Sequence, residues 1–126
     1  MPQKNKILVV DDESSNCEML KDFLASRFEG KVEVEVAYNG KEAVEKIEQS
    51  PQPDCVLLDI QMPVMDGLQV LKLLQPKYPD IKFIMVTAND SVSKMMDSMM
   101  NDAFDYVPKP VNFDVLEEKI LSALGQ

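Results

Sequence analysis

The sequence predicts an α/β domain built on a doubly wound, five-stranded parallel sheet with helices on both faces. Short apolar runs alternate five times with stretches of helical periodicity. Three of those runs are almost unbroken in apolar character, as in strands covered on both faces. Such alternation joins parallel neighbours through right-handed, usually helical crossovers.

The first strand is "KILVV", Lys6 to Val10. A helix follows with Cys17, Leu20, Phe23, Leu24 and Phe28 on one stripe, and with Ser14 or Ser15 expected at its N-cap. "KVEVEVA" sets Val32, Val34 and Val36 on one face and Glu33 and Glu35 on the other, the alternation of a strand with one wet side and a charged sheet edge. Asn39 and Gly40 open a short helix with Ala43, Val44 and Ile47 inward, which "SPQPD" interrupts.

"CVLLD" is the third strand, followed after "MPVMDG" by a helix through Leu68, Leu71 and Leu74 that Pro76 and Pro79 stop. "KFIMVTA" is the fourth strand. A helix from about Ser91 carries Val92, Met95, Met96, Met99 and Ala103 at core spacing, which predicts Met95, Met96 and Met99 inward and Met100 toward the margin. "DYV" is a short fifth strand, and Phe113, Leu116, Ile120 and Leu124 mark the last helix.

A chain of 126 residues has room for one domain over 1–126. With 45% apolar and 28% charged residues and no apolar run near the roughly 18 needed to cross a bilayer, a cytoplasmic protein without membrane insertion is expected. The two cysteines, Cys17 and Cys55, sit among apolar neighbours and read as small core residues. The absence of histidine disfavours zinc, and a net charge of -9 disfavours direct nucleic-acid binding. Any bound cation would be held by oxygen.

Open α/β sheets bind ligands beyond the carboxyl ends of their strands. There the sequence places Asp11 and Asp12 after the first strand, Asp59 at the third, Thr87 at the fourth and Lys109 after the fifth. Each has a structural explanation by itself: charge at a helix start, a strand-ending turn, a strand threonine, a solvated lysine. Together they differ, because the first and third strands are expected to be neighbours. Three crowded carboxylates need a cation or a lysine to stay ionised, and magnesium suits an oxygen-only site that also takes a phosphate. A carboxylate can itself take a phosphoryl group, with a lysine and a hydroxyl stabilising its oxygens.

The segments "ILVVDDE", "AYNGKEAVEKI", "PDCVLLDIQMPVMDG", "FIMVTA" and "DYVPKP", in this order, resemble the response regulator receiver domains of two-component signalling over nearly the whole chain. The resemblance implies a flavodoxin-like sheet of order 2-1-3-4-5, with Asp59 as phosphoacceptor. It implies that Asp11 and Asp12 organise Mg2+, with Asp12 a direct ligand and Asp59 and the Gln61 carbonyl two more. Thr87 would bond the phosphoryl group, Lys109 would pair with it, and Tyr106 would be the switch aromatic. Lys109-Pro110 matches the family's cis peptide. Asp102 stands where a glycine often ends the fourth helix, and Gln61 and Asn89 occupy positions that tune phosphoryl lifetime in the family.

The function so implied is a phosphorylation-dependent switch rather than a turnover enzyme. A histidine kinase or phosphotransfer protein would supply the phosphoryl group, and a downstream output protein would read the fourth helix, fifth strand and fifth helix. Self-phosphorylation and slow self-dephosphorylation would be its only chemistry. An aspartate-nucleophile phosphohydrolase would need a second acid where Gln61 stands, and an unphosphorylated interaction module would not need the full residue set. With Gln126 ending the chain just after the last helix, a stand-alone regulator is expected, the alternative being a receiver excised from a longer protein.

Overall fold

The computed structural model describes residues 4–88 and 92–125. Asn89 and Ser91, and the side chains of Val92 and Met95, lie outside that description. The elements alternate as β1 (Asn5–Val10), α1 (Ser14–Arg27), β2 (Val32–Ala37), α2 (Gly40–Glu48), β3 (Cys55–Asp59), α3 (Gly67–Leu74), β4 (Lys82–Ala88), α4 (Val92–Met100), β5 (Asp105–Lys109) and α5 (Phe113–Ala123). All five strands are parallel, in the order β2-β1-β3-β4-β5.

The pleat sends alternate side chains to opposite faces, so each strand feeds two cores. Ile7, Val9, Cys55, Leu57, Ile84 and Val107 pack under α1 and α5, against Leu20, Leu24, Leu116 and Ile120. Leu8, Val10, Val56, Leu58, Phe83 and Met85 meet α2 and α3 through Ile47, Val70, Leu71 and Leu74 on the other side. This two-sided burial is why β1, β3 and β4 read as near-continuous apolar runs. β2 lies at one margin with its valines half-buried, and Glu35 pairs with Lys6 at 3.0 Å. Burial raises the pKa of Cys17 to about 11 and of Cys55 to about 12, keeping both thiols protonated.

Two local expectations are corrected. Glu13, not a serine, occupies the N-cap of α1, without a side-chain cap bond. The turn is instead tightened by Asp11, whose Oδ1 accepts the Glu13 N–H at 2.9 Å. Met96 and Met99, expected inward, are 55% and 46% exposed, beside Met100 at 79%. α4 buries Ser98, and Ala103 is buried just beyond it. At 3.6 residues per turn, Met96 projects almost opposite Ser98, so the apolar stripe is wider than the strip that packs. Asp102 ends this segment in the left-handed region, with φ 63°, the geometry a glycine would take without cost.

Candidate functional site

The strand register assembles the site. Val10 pairs with Leu58, and Asp59 with Val86. Asp11, one residue past β1, therefore stands level with Asp59. Val9, Leu57 and Val107 all point to the α1/α5 side, and Asp11, Asp59 and Lys109 each follow by two residues, so their side chains leave the sheet on that same side. Lys109 lies two residues further along its strand, and its long stem reaches back to the carboxylates.

Asp11 and Asp59 are only 2% and 4% exposed, while Asp12 is open to solvent. Their carboxylate oxygens lie within 4.8 Å of one another. Asp59 Oδ1 accepts the Gln61 N–H at 3.2 Å. The Lys109 Nζ is 3.4 Å from Oδ2 of both Asp11 and Asp59. Each buried carboxylate thus spends one oxygen on a backbone N–H and shares the ammonium with the other.

Burial and then the charge of Asp11 push the Asp59 carboxyl up to about 6, against the pull of Lys109 and the Gln61 N–H. Burial of Lys109 opposes its charge, but Asp59 and Asp11 outweigh it and hold the ammonium above its ordinary pKa. One exposed and two buried carboxylates in this space form an oxygen-only donor set with an open side. That fits a small hard dication that keeps some of its waters.

Thr87 and Tyr106 belong to the opposite face. Met85 and Tyr106 are register partners that pack on the α2/α3 side, and Thr87 follows Met85 by two residues. Thr87 is 1% exposed, and its Oγ1 has no hydrogen-bond partner among the described residues. A buried hydroxyl without a partner is costly and marks a place where an acceptor is expected. Tyr106 is half-buried. The Lys109-Pro110 peptide is cis, and so is Ser50-Pro51. Gln61 has an exposed side chain, and Asn89 lies outside the described residues.

Two features of the site were missed by sequence reasoning. Gly67 opens α3 directly beneath the Asp59 backbone; a Cβ there would stand 2.3 Å from the Asp59 carbonyl oxygen. The "DG" after the strand, with Gln69 completing a capping box on Asp66, was the available signal. Val64 sits in the left-handed region with φ 68° and its side chain fully exposed. No residue pattern announces that conformation in a valine. Beside Asp11 and Lys109, Asn16, Met19, Leu20, Pro110 and Phe113 line a mostly apolar cleft.

Residues 7–121 match the response regulator receiver domain. The chain is 39% identical over 119 residues to the response regulator MprA of Mycolicibacterium vanbaalenii, covering 94% of this chain and 50% of that protein. It is 37% identical to the transcriptional regulatory protein ZraR of Klebsiella oxytoca, over 94% of this chain and 26% of that one. The chain therefore spans half or less of the length of these curated relatives. The crystal structure of a CheY-like response regulator receiver domain protein from Methanospirillum hungatei superposes with a TM-score of 0.88 at 36% identity, covering 98% of this chain and 95% of that one.

Proposed function

The chain belongs to the response regulator receiver domain family, and on that premise we propose that it is a switch phosphorylated on Asp59. The observation that carries this reading is the cluster of Asp11, Asp12 and Asp59, within 4.8 Å, with Lys109 on the two buried members. A carboxylate pinned by one oxygen to a backbone N–H keeps the other for attack.

Asp59 Oδ2 attacks the phosphorus of a phosphohistidine on a histidine kinase or phosphotransfer protein. The O–P bond forms as the P–N bond breaks, and the electron pair leaves on the imidazole nitrogen. With its pKa near 6, Asp59 is largely ionised at neutral pH and available for attack. Lys109 exchanges its contact with Asp59 for one with the phosphoryl oxygens. Asp12, Asp59 and the Gln61 carbonyl would hold magnesium, oriented by Asp11; when bound, it offsets charge on the phosphoryl group.

The Thr87 hydroxyl, which has no partner among the described residues, is drawn to a phosphoryl oxygen, and Tyr106 turns inward on the same face. That biases the surface of α4, β5 and α5, which an output protein reads. Exposed Met96, Met99 and Met100 give this surface an adaptable apolar component. The switch is a cytoplasmic one that acts on a protein rather than on nucleic acid directly, with residues 1–126 as one receiver unit. No helix among the described residues is long and apolar enough to cross a membrane.

Acetyl phosphate with Mg2+ tests the assignment. Acid-labile phosphate should be incorporated by the wild type and be absent from Asp59→Asn. Labelling that survives the substitution would place the acceptor elsewhere.

A further inference from the structure

We propose that Lys119 is a positioning residue for the switch, a latch reaching from α5 around the edge strand β5 to hold Tyr106 in its present half-buried position; this rests on Tyr106 being the moving aromatic. Asp105 is two residues from Val107, so it shares the α1/α5 side, whereas Tyr106 packs toward α2 and α3. Lys119 serves both sides. Its Nζ donates to Asp105 Oδ1 at 2.8 Å and lies 5.9 Å from the centroid of the Tyr106 ring.

Asp105 Oδ1 also accepts the Tyr106 N–H at 2.8 Å. One carboxylate oxygen therefore fixes the ammonium and the backbone of the residue that the ammonium faces. Lys119 is three-quarters buried, with 25% of its side chain exposed, so it is not a freely waving surface lysine. A cation held near an aromatic ring favours the ring position that keeps the contact. Inward rotation of Tyr106 gives that contact up.

The latch therefore opposes the activated arrangement and, by reciprocity, opposes whatever stabilises it at Asp59. A cation–π contact of this exposure biases the equilibrium about two- to five-fold. Removing the charge should release that bias. The long methylene stem packs independently of it, so Lys119→Met separates the two.

Three tyrosines, Tyr38, Tyr78 and Tyr106, make ring carbon labelling tractable. In the unphosphorylated protein, Lys119→Met should move the Tyr106 ring resonances part of the way toward those of wild type with beryllofluoride and Mg2+. It should also tighten beryllofluoride binding in the presence of Mg2+ about two- to five-fold, and Lys119→Arg should restore wild-type behaviour on both readouts. Asp105→Asn should act in the same direction, adding little to Lys119→Met. Unchanged Tyr106 resonances and beryllofluoride affinity in a folded Lys119→Met protein would overturn the latch while leaving the Asp59 reading intact. A wild type that neither takes phosphate nor responds to beryllofluoride would overturn both.

Discussion

Asp59 is destabilised by its own charge in the folded protein, since burial and Asp11 raise its pKa from 3.8 to about 6. The folded state holds this proton over a window in which the unfolded chain has released it. The stability contribution of Asp59 therefore falls as pH rises from 3.8 toward 6, by at most about 3 kcal/mol for roughly two pKa units. Asp59→Asn removes that slope. In metal-free buffer the variant should match wild type below about pH 4 and exceed its stability by about 1–3 kcal/mol near neutrality. Urea unfolding of the two proteins across that range, read as a difference, checks this.

Val64 is the other residue held against its preference. A branched side chain at φ 68° is strained, and full exposure leaves it no packing to compensate. Val64→Gly should raise stability by about 1 kcal/mol, the relief of strain being partly offset by glycine's unfolded-state entropy. An unchanged or lower denaturant midpoint would refute it. Asp11, Asp12, Asp59 and Lys109 were legible because each ends or directly follows a recognisable strand, which fixes its position. The strain at Val64 was not legible, because it belongs to a loop whose path is set by what lies around it.

At the scale of elements, the joint between β3 and α3 is closely packed beside the acidic cluster. The Gly67 N–H donates to the Ile60 carbonyl at 2.9 Å, and its missing side chain lets the helix start against the Asp59 backbone. Gly67→Ala should cost about 2–4 kcal/mol and slow acetyl phosphate labelling, because the strand end must shift to admit the methyl group. Thermal unfolding and labelling rates measured together test this; loss of neither would mean the joint yields freely.

β1, β3 and β4 were legible as elements because burial on two faces writes itself as a near-unbroken apolar run, and β2 because its apolar residues alternate with charged ones. α4 was legible as a helix but not in its facing. Periodicity identifies an apolar stripe, and only packing against β5 and α3 decides that Ser98, rather than Met96 or Met99, is covered. The first turn of α1 was misread for a similar reason. Two serines were available, but Asp11 tightened the turn one residue earlier.

For the whole molecule, folding and the acidic cluster are coupled. A dication that binds only the assembled carboxylates stabilises the fold by mass action, by about 1.4 kcal/mol at ten times its dissociation constant. The unfolding temperature should rise with Mg2+, return with chelator and respond far less in Asp12→Asn. A rise of equal size in that variant would locate the ion elsewhere. Overall topology followed from strand and helix alternation and the family resemblance. The division of site residues between two faces of the sheet required the register.

The strand order also grades how securely each part is held. β3 has a neighbour on both sides, whereas β5 has one only. Amide protons of Val56 to Leu58 should therefore exchange with solvent only when the whole protein unfolds, and those of β5 through smaller local openings of lower free energy. Hydrogen exchange would show this as slow decay at the centre and faster decay at the margin. Tyr106 and Lys109 thus ride on a strand that can loosen without loss of the fold, while Asp59 stands on one that cannot.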